Sequence, residues 1–166
     1  MNFQFYFEKL SKSKDFRKFI DEHKDAFLCS AFFSVDKKGE DNKQNIDYFA
    51  PSINKMFSFK INNGVELVPV EDYGENFKPE KIPDNTDFDF DYMEKLIGGE
   101  MFENKIKNKI EKLLFSLQAK DKKNYLLGTI FLSGLALLKV KIDLDDKKVV
   151  EFEKKSFFEM MKIVKK

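Results

Sequence analysis

One histidine, His23, one cysteine, Cys29, and one arginine, Arg17, leave this 166-residue chain little to do chemistry with. A catalytic imidazole needs an orienting partner, and a structural zinc site needs several nitrogen or sulfur ligands. His23 shares a helical face with Phe16, Phe19 and Ile20, which reads as an imidazole packed at the edge of a core. No G-x-S-x-G elbow supplies a nucleophile to go with it. Cys29 lies in the apolar run from Ala26 to Phe33, where a buried and inert thiol is expected. Being alone, it can form neither an intramolecular disulfide nor a multi-cysteine metal site.

The densest group of carboxylates is Asp87, Asp89 and Asp91, alternating with Phe88, Phe90 and Tyr92. In an extended chain the three carboxylates share one side, an arrangement able to hold Ca²⁺ or Mg²⁺ or to meet a partner. The EF-hand pattern fails, because Tyr92 falls where that loop needs glycine and Gly98 where it needs a bidentate glutamate. The plainer reading sets the aspartates at the start of a helix, where the macrodipole favours negative charge. No metal and no cofactor is expected. Gly98-Gly99 matches neither phosphate-loop pattern and reads as a break between two helical segments.

Lys105, Lys109 and Lys112 recur at helical spacing and, with the lysines near the C-terminus, could form a surface for RNA or another polyanion. Lysine supplies 29 of the 30 basic residues, so forked guanidinium contacts to phosphate are nearly absent. The net charge is +1, but residues 65–103 hold 12 acidic against 3 basic side chains, and residues 104–166 hold 16 basic against 8 acidic. That segregation predicts an acidic loop folded over the lysine flank, or two patches that self-associate.

The elements that position these residues follow from periodicity. A helix is expected from about Lys14 to Lys24 with Ser13 as its cap, after a helical turn through Phe3, Phe7 and Leu10. Phe27 to Val35, Ile46 to Phe49, Met56 to Ile61 and Val65 to Val70 read as strands, with Asn63-Gly64 as a hairpin turn. Tyr73 to Thr86 reads as a long acidic loop. Phe102, Ile106, Ile110, Leu113, Leu114 and Leu117 suggest a long amphipathic helix from about Glu100 to Gln118. Tyr125 to Leu132, Leu135 to Leu144 and Val149 to Phe152 read as three more strands. Ser156-Phe157-Phe158-Glu159 then opens a last helix with a capping box.

The expected fold is therefore α+β: antiparallel β-meander sheet packed against a long amphipathic helix, with N- and C-terminal helices. One domain spans 1–166, with a weak pseudo-repeat between halves 1–72 and 92–166. Twenty Phe and no Trp predict a core built on phenyl rings. The first residues lack a signal-peptide pattern, and Tyr125 to Leu138 is too short to span a bilayer, so a soluble, cytoplasmic protein is expected.

With so little catalytic chemistry, the leading expectation is a non-catalytic protein-interaction or oligomerisation module. In the last helix Phe158 and Ile163 lie off the stripe of Phe157, Met161 and Val164, and these two are candidate partner contacts alongside Asp87, Asp89 and Asp91. One alternative is a small-ligand-binding protein or enzyme with a pocket between sheet and long helix. The other is an RNA- or ribosome-associated protein using the lysine-rich C-terminal third.

Overall fold

Asn2, Ser13 and Asp89 are extended residues whose side chains each receive a backbone N–H of the helix that follows. Helix α1 (Phe3–Ser11), α2 (Lys14–Glu22) and α3 (Phe90–Glu103) begin in this way. At α4 (Phe157–Val164) the capping box is reciprocal: Ser156 Oγ accepts from Glu159 N at 3.1 Å, and Ser156 N donates to Glu159 Oε2 at 3.3 Å. A computed structural model describes residues 1–70 and 77–164, without the side chains of Pro69, Phe157, Met160, Ile163 and Val164. The first part of the acidic loop, and the side chain of Ile163, lie outside the described residues.

Eight strands form one antiparallel sheet: β1 (Phe27–Asp36), β2 (Lys43–Ala50), β3 (Lys55–Ile61), β4 (Val65–Pro69), β5 (Ile110–Lys120), β6 (Lys123–Leu132), β7 (Ala136–Asp143) and β8 (Lys148–Ser156). Their order is β4-β3-β2-β1-β5-β6-β7-β8. Two four-stranded meanders thus meet first strand to first strand, with Phe33 opposite Phe115 and Val35 opposite Leu113. Each meander follows helical structure in the chain, and α3 connects them.

The core lies between the sheet and the helices, and it is aromatic. Phe33 meets Phe3 and Phe88 edge-on, and Phe59 does the same with Phe16 and Phe19. Such edge-to-face pairs add to the roughly 1.5–3 kcal/mol that burying each large apolar side chain contributes. Gly128 completes the fit. A Cβ placed there would stand 2.6 Å from Val140 Cγ2, so β6 can lie between Phe115 and Val140 only without a side chain at that position.

The expected helix from Glu100 to Gln118 is not formed. Helix α3 ends at Asn104, where Lys105 takes a left-handed backbone (φ 56°). Lys105 N bonds Phe102 O and Ile106 N bonds Met101 O, the paired bonds of a Schellman ending. The following residues become β5, whose buried Leu113, Phe115 and Leu117 alternate with period two. The helical stripe through Ile110, Leu113, Leu114 and Leu117 passed over Phe115, and pairing with both β1 and β6 settles the competition. Phe102, assigned to that stripe, is 83% exposed. Gly98 and Gly99 do not break a helix either; they sit within α3 with open space around them.

Candidate functional site

Cys29 and His23 are both held by packing. The thiol is buried, donates to Asp47 O at 3.4 Å, and is pushed up to about 12, first by burial and then by the nearby Asp47 charge. A thiol held neutral in this way is a poor nucleophile. His23 closes α2 as its C-cap, and its ring lies 4.9 Å from Phe19 and 5.0 Å from Phe57.

The three aspartates do not converge on one point. Asp87 Oδ1 accepts from Gln4 N and Phe88 N, and its Oδ2 accepts from Asn2 Nδ2, so it ties α1 to the segment before α3. Asp89 caps α3 by accepting from Tyr92 N at 2.9 Å, which lowers its carboxyl pKa. Asp91 lies in the first turn of α3, with its side chain 81% exposed. Among the described residues no cluster of His, Cys, Asp and Glu is placed to hold a metal ion.

Nor do the three lysines share a helix face. Lys105 terminates α3, Lys109 precedes β5 and bonds Ser133 Oγ through its backbone N–H, and Lys112 on β5 is ion-paired with Asp41. Among the described residues no ion pair joins an acidic residue of 65–103 to a lysine of 104–166. Glu80 of the acidic loop instead accepts from the backbone N–H of Lys122 at 3.4 Å.

Helix α1 and the start of α3 part over β1 and β2, leaving a groove of about 350 Å³ bounded by Met1, Tyr6, Phe33, Gln44, Phe90 and Asp91. A smaller recess continues past Val35, Phe90 and Asp91 to Glu94, Leu113 and Phe115. Phe33 is the buried floor, 5.6 Å from the Tyr6 ring and 4.9 Å from the Phe90 ring. Lys37 and Glu94 form an ion pair at the far end. The volume falls within the range of small-molecule sites.

A second surface lies at one end of the second meander. The register sets the β6–β7 turn beside the end of β8, because Leu132 pairs with Ala136 and Ala136 with Ser156. Asn108 Nδ2 donates to Ser133 O, bringing the segment after α3 to the same turn. Leu135 of the turn is 64% exposed, and the adjoining helices carry Phe102 of α3 (83%) and Phe158 (68%) and Met161 (44%) of α4. Of them only Phe158 stood out in the sequence. Phe102 was hidden by the helical misreading, and Leu135 looked like the start of a strand.

On the sheet itself, Asp47 of β2 accepts from Ser30 Oγ at 2.7 Å and from the Ser58 hydroxyl, which in turn accepts from Asn45 Nδ2. Burial raises the Asp47 pKa, and the two hydroxyls pull it back only in part. Its bonded side-chain partners are these two hydroxyls.

No protein-family model and no curated protein matches the chain. Its fold is similar to that of a protein from Clostridium difficile 630 that carries the provisional name of a lipoprotein. The TM-score is 0.57, the identity 14%, and the match covers 85% of this chain and 90% of that one. At that identity the likeness concerns the fold alone. Among the described residues, no helix is long and apolar enough to cross a membrane.

Proposed function

We propose that this chain is a non-catalytic interaction module that meets a protein partner through the end of the sheet formed by α3, the β6–β7 turn and α4. Leu135 carries the reading. Its backbone is left-handed (φ 56°), and among the described residues it is the one apolar residue of the positive-φ non-glycines. That conformation costs a leucine roughly 1 kcal/mol relative to glycine or asparagine, and exposing its side chain in water adds to the cost. Strain and exposure together at one position are the marks of a contact residue. Phe102 and Phe158 are both largely exposed, and their segments reach the same turn through Asn108, bonded to Ser133, and Ser156, paired with Ala136. Isolated exposed apolar residues need no explanation, whereas several gathered at one end of a sheet form a patch.

The absence of a histidine or thiol with catalytic surroundings supports a binding role. The test is capture from the native cell with wild type and the variant Phe102→Ser/Leu135→Asn/Phe158→Ser side by side. Proteins, or further copies of the chain, retained by wild type and lost by the variant are expected. Equal retention by both would contradict the reading.

A further inference from the structure

The groove between α1, the start of α3 and strands β1 and β2 has aromatic walls and an acidic rim. Tyr6 and Phe90 stand with ring centroids 6.1 Å apart and 84° between their planes, over the Phe33 floor. Gln44 on β2 turns an amide toward this space and makes no side-chain hydrogen bond among the described residues. Asp91 adds a carboxylate at the rim, beside Asp89, and Glu94 adds another farther along.

Against these three carboxylates stand two cations. Lys37 is engaged with Glu94, and the Met1 amino nitrogen lies 3.6 Å from Asp89 and 3.9 Å from Asp91. One negative charge is left in excess. The rim is therefore net negative and repels an anion. Aromatic faces beside a carboxylate are the chemistry that selects an organic cation, since ring quadrupole and carboxylate attract the same charge.

We propose that this groove binds a small organic ammonium ion, its apolar part on Tyr6 and Phe90 and its charge against Asp91. The site is open to water, so binding on the order of 1 mM is the strength such contacts support. A surface of this kind is separate from the α3–α4 end and does not depend on it.

The probe is benzyltrimethylammonium, titrated into the whole protein and followed by amide and aromatic chemical shifts. Saturable shifts are expected at Tyr6, Gln44, Phe90 and Asp91. Phenylacetate, with the same ring and the opposite charge, is expected to produce none. Asp91→Asn should weaken binding about threefold, the scale of an exposed ion pair, and Asp91→Lys should weaken it further. Asp91 is exposed, so both variants should keep the wild-type shifts elsewhere, and that spectrum reports whether they are folded. The proposal is overturned by no shift up to about 20 mM, well above the expected constant. It is equally overturned by shifts away from the groove, by phenylacetate binding as well as the cation, or by unchanged affinity in folded Asp91→Lys.

Discussion

Phe33 of β1 stands directly opposite Phe115 of β5, at the seam where two meanders become one sheet. Both rings are buried, and Phe90 of α3 touches both, at 4.9 Å and 6.2 Å. Neither meander can keep this pair out of water by itself. Phe115→Ala should therefore destabilise the protein by about 3–5 kcal/mol, the usual cost of emptying a buried phenyl site. Wild type should unfold in one transition by both near- and far-ultraviolet dichroism. Two separated transitions, or a native-like spectrum from residues 1–72 alone, would show that the halves fold independently.

Glycines in two environments give opposite expectations. Gly98→Ala and Gly99→Ala in α3 meet open space and should each stabilise by about 0.5–1 kcal/mol. Gly128→Ala drives a methyl into Val140 and should destabilise by about 1–3 kcal/mol. Denaturant midpoints of the three variants check both signs.

The elements legible in the sequence were those whose local signals stood unopposed. Ser13 as a cap, the turn at Asn63-Gly64 and the Ser156–Glu159 box all agree with the pattern around them. The segment from Ile110 to Gln118 carried two patterns at once, helical through Leu113, Leu114 and Leu117, alternating through Leu113, Phe115 and Leu117. Only pairing with β1, some 80 residues away in the chain, decides between them. The groove was illegible for the same reason. Tyr6, Gln44 and Phe90 come together only once α1 and the start of α3 pack on the first meander. The aspartates were visible, but their work as bridge and cap depends on where α1 and α3 begin.

Asp47 and Asp143 should move stability with pH in opposite directions. The Asp47 pKa is raised by burial, so the folded state holds its proton more tightly than the unfolded chain does. Its contribution is fully present below the unfolded value near 4 and is lost as pH rises through the folded value. Asp47→Asn should thus raise the melting temperature at pH 7, and the gain should shrink toward pH 4. A gain larger at pH 4 than at pH 7 would reverse the sign and contradict the assignment.

At Asp143 the pKa is lowered, first by the Asp146 N–H, then by the Asp145 N–H and Lys123. Its stabilisation is present above the unfolded value and is lost as pH falls through the lowered one. Asp143→Ala leaves two turn N–H groups without their acceptor and should cost about 1–3 kcal/mol at pH 7. The deficit should narrow in acid, as thermal melts between pH 3 and 7 can show.

Asp89→Ala removes the cap of α3 and should cost about 0.5–2 kcal/mol, with the loss confined to the first turn. Asp91→Asn, on an exposed side chain, should change stability by less than about 0.5 kcal/mol. Melting curves separate the two, and equal losses would mean that both carboxylates are structural.

Leu135→Asn or Leu135→Gly should stabilise the isolated protein by about 1 kcal/mol, since either residue accepts the left-handed backbone more readily. A destabilised variant would mean that the leucine side chain is held by the fold itself, leaving it no role as a contact.

Oxidative footprinting reads the proposed contact surface directly. Purified, dilute protein and the same protein in native cell extract are exposed to a brief hydroxyl-radical pulse, and modification is mapped by mass spectrometry. Phe102, Leu135, Phe158 and Met161 should all be modified in buffer, as their exposure requires. In extract these four should be protected severalfold, with Phe32 on β1 serving as an unprotected reference. Equal modification of the four residues in buffer and in extract would contradict it.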